Sequence, residues 1–132
     1  MIEQGLVGLI QADAAVRKIA PAGGFLSELP KDYPLPSWTQ KTVSQPTSAS
    51  LTSFRGLKMR RFQIDCYGNA AADAINLAQA IDNVLDGFRG TLGDPDDTYV
   101  DSCLQSDLID FFDDASRSYR RMLEYEIWFV QN

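Results

Sequence analysis

The residues that could do chemistry in this chain fall into two sets of opposite charge. Acids run without an intervening base through Asp94, Asp96, Asp97, Asp101, Asp107, Asp110, Asp113 and Asp114. Bases gather at Arg55, Lys58, Arg60 and Arg61, and again at Arg117, Arg120 and Arg121. An acid run can ligate a hard cation or supply a general acid and base, and a basic cluster can hold a phosphate or a carboxylate. Asp94-Pro95-Asp96-Asp97 lacks the ligand spacing and closing Glu of an EF-hand loop. A working carboxylate pair needs a pocket and one raised pKa, and the pattern supplies neither. The chain has no His, which removes the commonest general base near neutral pH, the His-assisted Ser or Cys nucleophile and most zinc sites. It has no phosphate loop, and Gly23-Gly24 follows a helical pattern rather than a strand. The expectation is a protein without catalytic residues, metal or cofactor, whose work is binding.

Two readings of the charged clusters remain. They can be solvated strand ends that guard sheet edges against aggregation. Alternatively they form a charge-complementary surface, with basic strand ends of one subunit facing the acidic segment of its neighbour, which would fix register and partner choice. The candidate assembly interface is then Arg55, Lys58, Arg60, Arg61, Arg117, Arg120 and Arg121 against Asp107, Asp110, Asp113 and Asp114. On this reading Arg120→Glu should spare folding and impair assembly. Nucleic acid is disfavoured as a partner, because the net charge is −6 and no aromatic stacking series accompanies the bases. Trp38, Tyr67, Trp128 and the Phe111-Phe112 pair read as core or interface anchors before they read as a ligand pocket.

The elements that must position these residues follow from periodicity. Residues number 132, enough for one domain and too few for two comfortable cores. Hydrophobic content of 45% with 23% charged residues is that of a globular chain, so global disorder is not expected. Ile2, Leu6, Leu9, Ile10, Val16 and Ile19 share a helical face, ended by Pro21 and Gly23-Gly24. Phe25–Leu29 and Leu35–Val43 read as two modest edge strands among prolines. The Ser- and Thr-rich stretch 44–57 reads as a long flexible loop. Met59–Tyr67 alternates as a half-buried strand with Phe62, Ile64 and Cys66 on one face. Asn69 looks like the N-cap of an Ala-rich helix carrying Ala74, Ile81 and Leu85. A strand over Tyr99–Leu104 precedes an irregular acidic segment to Asp114. Tyr119–Val130 then alternates as a long central strand. The sum is an α+β fold, an antiparallel sheet of four to five strands with two main helices on one face. Cys66 and Cys103 fall in strand patterns and are expected as buried thiols in an intracellular compartment. Met1-Ile2-Glu3-Gln4 does not look like an export signal, and no segment approaches the ~20 apolar residues of a membrane span.

Three segments in order carry a family resemblance: Leu57-Lys58-Met59-Arg60-Arg61-Phe62-Gln63-Ile64-Asp65-Cys66-Tyr67, the helix ending Leu85-Asp86-Gly87-Phe88-Arg89-Gly90, and Ser118-Tyr119-Arg120-Arg121-Met122-Leu123-Glu124-Tyr125-Glu126-Ile127-Trp128. Leu35-Pro36-Ser37-Trp38-Thr39 adds a fainter match. Together they resemble the tail-completion or tail-terminator (head-to-tail joining) proteins of siphophages, which are similar in architecture to the minor tail protein U of lambda-like phages. The resemblance implies a homo-oligomer, expected to be a hexameric ring, made in the bacterial host cytoplasm and placed in the virion at the tail-head junction. Such a ring caps the tail tube, stops its polymerisation and offers a surface to the head-tail connector protein, with DNA only passing through. The alternative is a small non-enzymatic α+β module that binds a ligand or protein through its sheet.

Overall fold

The computed structural model describes residues 1–29, 33–45, 57–95, 97–115 and 117–130. The chain opens with α1 (Ile2–Gln11) and α2 (Ala14–Ile19), where the spacing predicts one helix. The break has a local cause: Asp13 takes an extended conformation and its carboxylate accepts a hydrogen bond from the Val16 amide at 3.1 Å, which caps α2 as a new helix. The strands are β1 (Gly24–Leu26), β2 (Ser37–Ser44), β3 (Lys58–Gly68), β4 (Gly90–Thr91), β5 (Tyr99–Asp113) and β6 (Ser118–Val130). Between β3 and β4 lies α3 (Ala71–Leu85), whose N-cap position is Ala70, without a side-chain cap, rather than Asn69.

The strands form one six-stranded sheet in the order β1-β2-β3-β6-β5-β4. Only the β1–β2 pairing is parallel. The architecture is thus α+β with a mostly antiparallel sheet, and the described residues carry more strands than the expected four to five and a third, short helix. β2 is not an edge strand, because β1 covers it over Trp38–Gln40. The expected loop 44–57 begins in the last residue of β2, and its central part, 46–56, lies outside the described residues.

The largest departure is β5. The acidic segment is no irregular connection: the strand runs on to Asp113 and pairs with β6 throughout. Two register shifts interrupt that pairing, at Val100/Ser102 and Gln105/Asp107. Each inserts a residue, reverses the phase of the alternation and bends the hairpin. A period-two pattern interrupted in this way does not look like a strand in the sequence.

One core fills the space between the sheet and the three described helices. Phe62, Ile64 and Cys66 of β3 and Leu123, Tyr125, Ile127 and Phe129 of β6 are all buried, as the alternation predicts. Leu77, Ile81 and Leu85 recur every four residues along α3 and are buried with them. Trp38 is fully buried, and Gly24 makes room for it: a Cβ on that glycine would lie 2.2 Å from the indole.

Candidate assembly surface

The β5–β6 hairpin gathers most of the charged residues that the sequence singles out. Arg121 on β6 faces Asp110 on β5 and grips it with two bonds, Nε to Oδ1 at 2.7 Å and Nη2 to Oδ2 at 2.9 Å. The guanidinium holds the Asp110 carboxyl below the usual carboxylate range. Arg120, on the opposite face, lies over the Phe111 ring with its guanidinium carbon 4.2 Å from the centroid. Its Nε is also 3.8 Å from Asp65 Oδ1. Asp65 is buried in the middle of β3, where Gln63 Nε2 donates to Oδ2 at 2.8 Å and Oδ1 has no hydrogen-bond partner. Arg120 is therefore partly an internal counter-charge. Arg117 closes the hairpin turn with φ 51° and stands 6.0 Å from the Phe112 ring. Asp113 accepts from the Ala115 amide in that turn, and Asp114 is exposed beside it. Asp107 sits at the second bulge and accepts from the Leu108 amide at 2.8 Å.

The other basic cluster is at the far end of β3, because Lys58 pairs with Phe129 and Gly68 with Tyr119. Arg60 reaches across to α1, 2.7 Å from Glu3, and also donates to Gln45. Arg61 lies on the face away from the helices, 3.2 Å from Glu126 and 4.0 Å from Glu124. Arg55 lies outside the described residues. The structure thus separates the basic residues into two sites, and several have acidic partners within the chain. Exposed pairs of this kind contribute about 0–1 kcal/mol each.

The sequence named Phe111-Phe112 as core or interface anchors but not the apolar run that surrounds them on the hairpin edge. Leu104, Leu108, Ile109, Phe111 and Phe112 are each 39–58% exposed. Phe112 stacks on Tyr119 at 4.7 Å. The run Leu108-Ile109-Asp110-Phe111-Phe112 was the available signal. β4 pairs only with Tyr99 and Val100, and Gly87 N–H bonds to Cys103 O at 2.7 Å. Beyond Gln105, whose amide donates to Asp86 at 3.0 Å, no described strand covers the outer edge of β5. Between this hairpin and the first turns of α3 lies an open cleft of 320 Å³, lined by Ala71, Ala74, Ile75, Phe111, Phe112 and Tyr119 among others. Large exposed apolar patches on a small domain mark contact surfaces.

The titratable groups elsewhere are structural. Burial pushes the Cys103 thiol up to about 12 and raises Cys66 further, so neither is a ready nucleophile. Tyr125 is raised by burial and by its bond to Asp82, where the phenol donates at 2.6 Å. Asp94 is buried, which alone would raise it, but the Thr98 hydroxyl at 2.6 Å and amide at 2.8 Å, with the N-terminal ammonium of Met1 at 3.5 Å, together outweigh burial and lower it. It ties the turn before β5. Among the described residues, no three acids or thiols stand close enough to hold a metal ion, and no helix is long and apolar enough to cross a membrane.

No protein-family model matches the sequence, and a search of curated proteins finds no match. Comparison with solved structures does find likeness. One chain in a structure described as the virion of a native gene transfer agent particle superposes with a TM-score of 0.75, over 99% of this chain and 95% of that one, at 14% sequence identity. At that identity the shared property is the fold. This chain therefore has, over nearly its whole length, the fold of a chain in that virion.

Proposed function

We propose that this chain is a structural subunit of a phage or prophage particle. Its role is that of a tail-terminator or tail-completion protein, which caps the tail tube as a ring, stops its growth and presents a surface to the head connector. The observation that carries the proposal is the whole-length fold likeness to a chain of the gene transfer agent virion. Nearly complete coverage of both chains means that the likeness is not one of a shared sub-motif. The exposed apolar hairpin edge supports a role in assembly, because it leaves aromatic and aliphatic side chains facing water that a partner would cover. Deeply buried thiols and the absence of His favour binding over catalysis. The proposed partners are further copies of the chain in a ring, expected to be six, the tail tube protein and the head-tail connector, with the virion as the final location.

The test is the absolute mass of the purified chain by light scattering over a concentration series, with electron micrographs of any large species. Closed rings near six subunits are expected, either alone or on addition of tail tubes. A chain that stays monomeric in both conditions, and is instead stabilised by a small ligand, would shift the reading to a ligand-binding module.

A further inference from the structure

The two ends of the sheet match each other row by row. Following the register from β1 through β2, β3 and β6 to β5, one row contains Leu26, Gln40, Ile64, Leu123 and Leu108. The next contains Phe25, Thr39, Asp65, Met122 and Ile109, and the one after it Gly24, Trp38, Cys66, Arg121 and Asp110. On the other side of the Leu row, Lys41, Gln63, Glu124 and Asp107 align. The terminal residues are complementary: Leu26 and Leu108 are both exposed, at 42% and 43%, and Phe25 stands level with exposed Ile109.

Backbone phase agrees with this match. The Ser27 amide turns inward to Gln40 O at 2.8 Å, so by alternation Leu26 and Gly24 direct their peptide groups away from the sheet; there Leu26 O already accepts from the Glu28 amide at 3.0 Å and Gly24 O from Gln11 Nε2 at 3.4 Å, so their amides are the groups β1 offers a partner. On β5 the Leu108 amide turns outward, where only its neighbour Asp107 accepts it. Asp110 and Phe112 follow in the same phase. Strand direction agrees as well. β2 and β6 run one way and β3 and β5 the other, with β1 parallel to β2. A second copy in the same orientation would therefore bring its β1 alongside β5 in antiparallel sense.

Charge chooses between this arrangement and its rival. From Tyr99 to Asp113 the strand carries Asp101, Asp107, Asp110 and Asp113 and no base of its own, with Asp101 3.7 Å from Arg89 and Asp110 bonded to Arg121. At the β1 end, Arg17, Lys18 and Lys41 make no ion pair among the described residues, and Arg17 lies beside Gly23 and Trp38. Pairing β5 with β5 around a twofold axis at Asp110 would set Asp107 against Asp113, which like-charge repulsion disfavours, while each Asp110 stays compensated by its own Arg121. Head-to-tail pairing instead brings Lys41 of one copy toward Asp107 of the next.

We infer that copies of this chain join head to tail through their sheets, the uncovered stretch of β5 in one copy pairing antiparallel with β1 of the next. This deepens the ring reading of the proposed function and rests on it. Such an interface is heterologous, so it closes into a ring when its rotation permits, and it removes the exposed edge from water.

The experiment places Leu26→Cys and Leu108→Cys in the full chain, singly and together. The native thiols are both buried, and facing residues of paired strands are close enough for a disulfide. Under mild oxidation of the concentrated protein, the double variant should give a non-reducing ladder that runs past dimer to a closed species, while each single variant stays monomeric. Leu108→Cys alone giving abundant dimer would mean that β5 meets β5, and would overturn the inference. A double variant without a ladder would also overturn it. The mass of the unmodified protein then separates the two levels: rings without a ladder leave the proposed function standing on another interface, whereas monomers even with tail tubes remove both. If a cysteine variant fails to fold, Lys41→Glu and Asp107→Lys serve instead. Each should weaken assembly alone, and the pair should restore it; failure of the pair to restore assembly counts against the pairing.

Discussion

Replacing Arg120 with glutamate reverses a charge that the fold uses internally. The sequence places Arg120 on a docking surface and expects the change to spare folding. In the structure its guanidinium is the cation nearest a carboxylate buried in mid-strand, 3.8 Å from Asp65 Oδ1, with side-chain exposures of 34% and 4%. Breaking a buried pair from one side costs about 3–5 kcal/mol, and solvent around the one-third-exposed Arg120 reduces this to about 2–3. Loss of the contact over Phe111 adds about 0.5–1 kcal/mol. Unfolding entropy near 2.1 cal/mol/K per residue gives this chain about 0.28 kcal/mol/K, so a loss of about 3 kcal/mol lowers Tm by about 10 °C. Thermal melts followed by circular dichroism measure it. Asp65→Asn in the same background removes the buried charge and should recover most of the loss, because the two sites are coupled. An Arg120→Glu chain that melts within 2 °C or so of the wild type, or one that Asp65→Asn fails to rescue, would refute the internal counter-charge.

Three further changes probe the scaffold. Tyr125→Phe deletes the hydroxyl that donates to Asp82 at 2.6 Å, and should cost about 1.5 kcal/mol, or about 5 °C in Tm; an unchanged melt would mean that the bond adds nothing over water. Gly24→Ala drives a methyl into the Trp38 ring, so a loss of about 2 kcal/mol or more is expected in urea titration, and wild-type stability would contradict the close approach. Asp94 is held below the ordinary carboxylate range, so its bonds to Thr98 stabilise the fold above about pH 4 and are lost as pH falls through the lowered folded value. Wild type should therefore exceed Asp94→Asn by about 1–2 kcal/mol at pH 7, with the gap shrinking below about pH 4; a gap constant with pH would show that the charge does not matter.

Periodicity made the centre of the molecule legible. Phe62, Ile64 and Cys66, and Leu123 through Phe129, alternate cleanly because both central strands bury one face on helices and leave the other partly wet. α3 was legible for the same reason, through its four-residue spacing. The margins were not. Asp13 reads as one polar residue within a helical pattern until its capping bond to Val16 is seen. β5 lost its signal at Gln105/Asp107, where a bulge shifts the phase, and beyond that point its residues on both faces meet solvent. Of the candidate interface, the sequence located the hairpin's charges. It could not show that Arg121 is already engaged by Asp110, or Arg120 by Phe111 and Asp65, because those contacts depend on cross-strand register. The Phe111-Phe112 pair stood out in the sequence as a core or interface anchor, but that it joins exposed Leu108 and Ile109 in one patch became visible only when the edge of β5 was found uncovered.

The proposal that this chain works by capping a tube meets its most direct test at the tube itself. Labelled protein would be added to tail tubes while they are still growing, and the product imaged by electron microscopy. Label confined to one end of each tube as a ring, with growth arrested at that end, is the predicted result. Label along the tube wall, or tubes that lengthen as fast as without the protein, would contradict the account.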